Sequence, residues 1–269
     1  MPELPEVETV RNTLKQHIIG KTIEDVIIRY PKIVKTNLIE FKKRLKNQTI
    51  LDIKRMGKYL IFIFNHDALI IHLRMEGKFY IKKNEPYVKH EHIIFNFNDQ
   101  STLRYHDVRK FGTMHLHTIK TYKTVYPLSK LGPEPKDMLP KLLYDQIKNK
   151  KRNIKSVLLD QSIISGLGNI YVDETLYLSK IHPKRCANSL KLSDVKNILI
   201  QARKVLNQAI RLGGTTIYSY TSSLGVHGKF QNELKCHTKN KEPCGICQNK
   251  IEKIIVSGRG TYVCQNCQK

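Results

Sequence analysis

Four cysteines close to the C-terminus, Cys244, Cys247, Cys264 and Cys267, restrict what their part of the chain can become more than any other feature does. They form Cys-x2-Cys-x16-Cys-x2-Cys, two knuckles that each offer two thiolates. A tetrahedron of four thiolates is what a structural zinc ion takes. The sixteen residues between the knuckles suffice for a β-hairpin, with Gly258-Arg259-Gly260 expected as its turn. All four ligand positions are filled, so the one zinc expected here is scaffolding and leaves no open coordination position for chemistry. A pair of redox dithiols is the competing reading, and two pairs at ribbon spacing disfavour it. Cys186 and Cys236 are left over with nothing to suggest a disulfide framework, which points to a cytoplasmic protein.

The other end of the chain, Met1-Pro2-Glu3-Leu4-Pro5-Glu6-Val7-Glu8, supports two readings. Leu4, Val7, Val10, Leu14 and Ile18 recur at the 3.6-residue period, so a helix starts here, and early proline with acids in the first turn is ordinary helix-start chemistry. The second reading is catalytic. A small second residue permits removal of Met1, which would leave Pro2 with a free secondary amine. Such an amine has an unperturbed pKa of roughly 7.7–8.0, so a useful fraction is neutral and nucleophilic at pH 7. A secondary amine that attacks a sugar carbon and opens the ring gives an iminium cation, a strong electron sink, and Glu3 next to it could supply or take a proton. These residues alone leave the two readings open.

Forty-seven Lys plus Arg against 23 Asp plus Glu give a formal net charge of +24, an excess suited to nucleic acid and hard to justify for a small-molecule enzyme. No apolar run approaches the roughly 18 residues of a membrane span, and the acidic, amphipathic start is unlike a signal peptide. Short runs with strand character at 22–30, 51–55, 60–64, 68–73, 78–81, 92–97 and 113–117, broken by turn residues, suggest an antiparallel β-sandwich. Pro127, Pro133, Pro135 and Pro140 mark a linker, and beyond it the period turns helical at 141–148, 154–160, 170–178 and 192–212. The expected architecture is α+β in two domains: an N-terminal helix and sandwich over 1–125, a linker over 126–140, a helical domain over 141–235, and a zinc module over 236–269. Ser165-Gly166-Leu167-Gly168-Asn169 opens a helix and suits a phosphate resting on backbone N–H groups; it lacks the third glycine and the βαβ setting of a dinucleotide loop.

Motifs in order along nearly the whole chain then make it similar to the bacterial formamidopyrimidine-DNA glycosylase family. They are Pro2 to Glu8, Gly57-Lys58-Tyr59, His72-Leu73-x-Met75, Arg104-Tyr105-x-Asp107-x-Arg109-x-Phe111-Gly112, Leu131-Gly132-Pro133-Glu134-Pro135, Gly166-x-Gly168-Asn169-Ile170-Tyr171, Gly213-Gly214-Thr215-Thr216 and the four cysteines. The resemblance favours the catalytic reading of Pro2. It implies a bifunctional glycosylase and AP lyase that excises oxidised purines from duplex DNA, a helix-two-turn-helix domain, and a monomer with no membrane partner. By resemblance Pro2 forms the Schiff base, Glu3 is the acid in base release, and Lys58 and Arg259 are proton donors in the two strand-cleaving eliminations. His72, Asn169 and Arg259 match residues that grip the backbone around the extruded nucleotide; His90, Arg109 and Lys150 match further DNA contacts. Met75, Arg109 and Phe111 match a wedge that fills the void left by a flipped base, a step that costs a few kcal/mol. Taken alone, Lys58 and Lys150 read as surface lysines, His72 as a strand histidine, and Met75 and Phe111 as core.

The sequence departs from the family in two places. Many members read Tyr-Gly-Arg where this chain has Cys236-His237-Thr238-Lys239, and the loop 217–228 is unusually rich in hydroxyls. Two alternatives remain: the oxidised-pyrimidine branch that resembles endonuclease VIII, disfavoured by Leu4 and the wedge, and a non-catalytic zinc-ribbon DNA-binding protein, disfavoured by intact Pro2, Glu3 and Lys58.

Overall fold

The computed structural model describes residues 1–215 and 228–269. It divides into two compact units, one of Met1–Ser129 with Thr215–Gly228, the other of Lys130–Gly214 with Lys229–Lys269. The hydroxyl-rich loop lies, apart from Gly228, outside the described residues.

The first unit begins with helix α1 (Leu4–Ile18), whose buried stripe is the one the period marks. Two four-stranded antiparallel sheets follow. One has the order β1 (Ile23–Ile28), β6 (Glu91–Phe97), β7 (Ser101–His106), β5 (Lys78–Lys83). The other runs β2 (Asp52–Met56), β3 (Tyr59–Ile63), β4 (Asp67–His72), β8 (Thr113–Thr118). Val7, Val10 and Leu14 of α1 share one core with Phe62, Leu69, Phe79, Phe95, Leu103 and Tyr105 from both sheets.

Two elements escape the sequence reading. Helix α2 (Leu38–Leu45) is short and buries only Phe41 and Leu45, so its period is too brief to register; Asn37 starts it by accepting the N–H groups of Ile39 and Glu40. Strand β7 carries Arg104 into the interior at 1% exposure, where a pattern reading expects an apolar residue. The guanidinium is satisfied by Glu91 Oε2 at 3.0 Å and by the carbonyls of Pro86 and Glu85 at 2.8 and 2.7 Å, which is what a buried charge requires.

The second unit packs α5 (Asn169–Leu178) and α3 (Pro140–Ile147) against α6 (Leu192–Arg211), with short α4 (Ile154–Leu158) beside α5. Part of the proline-rich stretch packs here: Met138 is fully buried, and Arg203 of α6 donates to the carbonyls of Pro135 and Met138 at 2.7 and 2.8 Å. The unit ends in the expected hairpin, β9 (Glu252–Val256) with β10 (Arg259–Val263). Its turn is Ser257-Gly258, at φ 49° and 74°, and not Gly258-Arg259-Gly260. Two residues at positive φ give the twist a two-residue hairpin needs, so Arg259 already belongs to the strand, paired with Val256. Among the described residues no helix is long and apolar enough to cross a membrane.

Candidate functional site

In the first unit the residues singled out at the N-terminus are buried: Pro2, Glu3 and Glu6 all lie out of solvent. Glu3 caps α1 in extended conformation. The carboxylate of Glu6 accepts the Glu3 N–H through Oε2 at 2.8 Å. Its other oxygen, Oε1, accepts the N–H and the hydroxyl of Thr215 at 2.8 and 3.1 Å. One side chain thus fixes the backbone beside Pro2 and ties it to a residue far along the chain. The sequence reading assigned Glu6 to ordinary helix-start chemistry; only the partner at Thr215 distinguishes it, and sequence separation hides that partner.

Lys58 lies in the tight turn between β2 and β3 and is 5% exposed. That turn is stitched to α1 by Arg55, whose Nε donates to Glu8 Oε2 at 2.7 Å while its Nη1 donates to the Gly57 carbonyl at 2.9 Å. The helix that follows Pro2 and the turn that carries Lys58 are therefore tied together. At the end of β4, His72 meets the Tyr59 ring edge-on at 4.6 Å between centroids. The Arg74 N–H donates to His72 Nδ1 at 2.9 Å, which places the ring's own proton on Nε2 as a donor. Burial, then the charges of Arg74 and Lys58, push the His72 pKa down to about 3, so this donor is neutral at pH 7.

Met75, half-buried, sits in the turn after β4, and Arg109 and Phe111 are exposed on the loop after β7. The Arg109 guanidinium lies 4.9 Å from the centre of the Phe111 ring. This loop is clasped by the wholly buried Asp107, whose carboxylate accepts the N–H groups of Arg109 at 3.0 Å and Gly112 at 2.9 Å. Between these two segments stands the hydroxyl of Tyr105: a Cβ on Gly77 would lie 2.2 Å from it, and one on Gly112 only 1.7 Å. Asp107 and Tyr105 were visible only as letters of a motif; they hold the loops that carry Met75, Arg109 and Phe111. His90 is half-buried just before β6, in ring contact with His92 and His106.

In the second unit Asn169 opens α5 and donates through Nδ2 to the Gly260 carbonyl at 3.0 Å, beside the exposed Arg259. The hairpin is held from below by Lys155, fully buried, whose ammonium reaches Asp173 Oδ1 at 2.6 Å and Thr261 Oγ1 at 2.7 Å. The other oxygen of Asp173 meets His237 Nδ1 at 2.8 Å. His237, within the stretch that departs from the resembling chains, is thus drawn inward and packs on Tyr262. Glu174 accepts the backbone N–H groups of Lys235, Cys236 and His237 at 2.9, 2.9 and 2.7 Å. Lys150 is half-buried just beyond α3.

The four predicted ligand cysteines converge, with all four sulfurs within 4.8 Å of one another. Cys247 to Cys264 is 3.5 Å and Cys244 to Cys267 is 3.8 Å. A zinc ion with bonds near 2.3 Å gives tetrahedral edges of about 3.8 Å, so the donor set fits one structural zinc. Tyr177 lies with its hydroxyl 3.1 Å from Cys244 Sγ, a donor placed to fix that thiolate. Cys236 is buried and gives its S–H to the Tyr262 carbonyl at 3.0 Å, outside the ligand set; Cys186 is exposed.

The comparisons agree along the whole chain. Residues 1–114 match the model of the formamidopyrimidine-DNA glycosylase N-terminal domain, 131–221 that of the H2TH domain of the same enzymes, and 241–269 a zinc finger found in FPG and IleRS. A formamidopyrimidine-DNA glycosylase of Bacillus anthracis is 48% identical over 100% of this chain and 99% of its own. One of Mycoplasma mobile is 47% identical over the same shares. Among solved structures, Lactococcus lactis Fpg bound to DNA containing an abasic site superposes with a TM-score of 0.93 at 42% identity, covering 100% of both chains. The wild-type Lactococcus lactis enzyme with N7-benzyl-Fapy-dG DNA gives 0.93 at 43%, again over 100% of both chains.

Two outcomes follow from this geometry. Gly112→Ala forces a methyl group onto the fully buried Tyr105, which has nowhere to go; a loss of roughly 1–3 kcal/mol is expected, read as a lowered midpoint in thermal unfolding. The second concerns acid. His72 and His115 have folded pKa values pushed down to about 3 and about 4, chiefly by burial, against an ordinary 6.5. As pH falls below 6.5 the unfolded chain binds protons that the folded chain refuses, so stability falls with pH down to about 4 for His115 and about 3 for His72. The melting temperature should drop between pH 7 and pH 5, and by less in a His72→Gln/His115→Gln variant.

Proposed function

This chain belongs to the formamidopyrimidine-DNA glycosylase family, and on that premise we propose that Pro2, freed of Met1, is the nucleophile of a DNA glycosylase that acts on oxidised purines in duplex DNA. The chain is a DNA glycosylase, and the family's second activity is that of an AP lyase. The relatives' names and the abasic and Fapy-dG DNA in the solved complexes support the substrate class. The observation that carries the reading is the start of α1, where the buried carboxylate beside Pro2 is tied to Thr215 and the helix is stitched to the turn of Lys58. The Glu3 N–H to Glu6 bond is half of an ordinary capping box, but a cap requires neither the second link of Glu6 to Thr215 nor the tie of α1 to the turn of Lys58.

The Pro2 nitrogen attacks C1′ of the damaged nucleotide, the glycosidic bond breaks, and the departing base takes a proton from Glu3. The adduct then opens the sugar ring: the C1′–O4′ bond breaks, O4′ takes a proton, and the secondary amine is left as an iminium, which acidifies the hydrogens on C2′. Loss of one expels the 3′ phosphate, and the second elimination expels the 5′ phosphate; Lys58 and Arg259 serve as proton donors in these two steps. Asn169 and His72, the latter through its neutral Nε2–H, grip the strand, and His90, Arg109 and Lys150 add contacts that steer the cationic surface onto DNA. Met75, Arg109 and Phe111 fill the gap left by the extruded base. The zinc holds the hairpin that carries Arg259. The protein is expected to act as a monomer in the cytoplasm.

Sodium borohydride reduces an iminium to a stable amine, so the mature protein should be trapped covalently on DNA bearing an oxidised purine or an abasic site. A form with an N-terminal tag should fail to trap. Equal trapping by both forms would remove Pro2 from the role.

A further inference from the structure

An open cleft of about 740 Å³ lies on the first unit, and none of the roles above uses it. Its walls come from β3, β8, the turn after β4 and the segment before Pro127: Tyr59, Arg74, His115, His117 and Tyr126, with Lys35 at the edge. The strand period explains why they meet. Met114 and Leu116 of β8 point into the sandwich core, so Thr113, His115 and His117 project from the other face. Across the ladder Thr113 pairs with His72 and His72 with Tyr59, which makes the cleft contiguous with the His72 contact.

The chemistry of this lining is specific. None of the lining residues is acidic. Two cations, Lys35 and Arg74, flank it, and a guanidinium presents a donor fork suited to phosphate oxygens. The rest is largely aromatic. The His115 and His117 rings stack at 6.3 Å with planes 13° apart, and Tyr126 meets His115 at 5.6 Å between centroids. Tyr126 is 60% exposed, a large aromatic surface left facing water. His115 is neutral at pH 7, since burial lowers its pKa to about 4, so it adds hydrogen-bonding edges without more charge. The volume lies within the roughly 300–1,000 Å³ typical of small-molecule sites. Flat aromatic faces beside a pair of cations match a ligand with a flat base and a phosphate.

We propose that this cleft is a nucleotide subsite: it stacks one unpaired base on Tyr126, whose plane stands 72° from that of His115, sets the base edge against the histidine pair, and holds its phosphate on Lys35 and Arg74. The inference deepens the function given above and rests on it for one of two sources of such a ligand. The lyase reaction leaves strand ends that carry phosphomonoesters, and a terminal nucleotide of that kind has the chemistry of a free mononucleotide. The subsite would hold either.

The test uses the full-length, zinc-loaded protein and titrates it with deoxyguanosine monophosphate, deoxyguanosine and inorganic phosphate by calorimetry. Saturable binding of the nucleotide is expected, weakened about tenfold by Tyr126→Ala and similarly by Lys35→Gln. The nucleoside and phosphate alone should each bind more weakly. No saturable binding, binding unchanged in both variants, or phosphate binding as tightly as the nucleotide would each overturn the proposal. A second arm asks whether the nucleotide competes with gapped duplex ending in a 3′ phosphate. Competition identifies the strand end as the source, and binding without competition identifies the free nucleotide. Borohydride trapping is run on the same variants. Intact trapping with no nucleotide binding defeats the subsite alone, and absent trapping defeats the reaction on which the strand-end source rests.

Discussion

A surface that grips a polyanion must be cationic, and a chain with 47 basic and 23 acidic residues repels itself. What the structure depends on is a handful of buried carboxylates, each holding one segment that carries proposed site residues. Glu6 fixes the backbone next to Pro2, Asp107 clasps the loop of Arg109 and Phe111, and Asp173 holds Lys155 beneath the hairpin of Arg259. Each accepts at least two hydrogen bonds, and removing one partner of such a buried charge typically costs about 3–5 kcal/mol. The cations at the surface can then face outward because the anions that order them are inside.

This division of labour explains why the two units share a plan while differing in fold. In the first, a β-sandwich supplies rigid strand ends and the short turns between them present Lys58, His72 and Met75. In the second, helices supply a buried platform, α4 and α5, on which the zinc-bound hairpin rests through Lys155, Asn169 and Asp173. The ribbon is too small to keep its shape by apolar burial alone, so metal and these polar contacts together set where Arg259 stands.

Much of this was legible in the sequence, because the signals involved are local. The helical stripe of α1, seven of the eight sandwich strands, the four C-terminal helical segments and the cysteine spacing all depend on residues near one another in the chain. What was not legible depends on distant partners. Strand β7 was hidden by Arg104, whose burial makes sense only with Glu91 and two carbonyls in place. Glu6 looked like a helix-start acid until Thr215 was found on its other oxygen. The turn of the last hairpin was displaced by one residue, since Ser257 at positive φ is not a residue that composition marks for a turn. The aromatic cleft likewise joins residues from separate stretches, and no one of them carries a motif for it.

The central claim is chemical: the bond to DNA forms at the nitrogen of Pro2. Mass spectrometry of the borohydride-reduced, protease-digested adduct tests it most directly. The account predicts a modified peptide that begins at Pro2, lacks Met1, and carries the sugar remnant on its first nitrogen. A remnant on Lys58 or another lysine, or on a peptide that still begins with Met1, would contradict it.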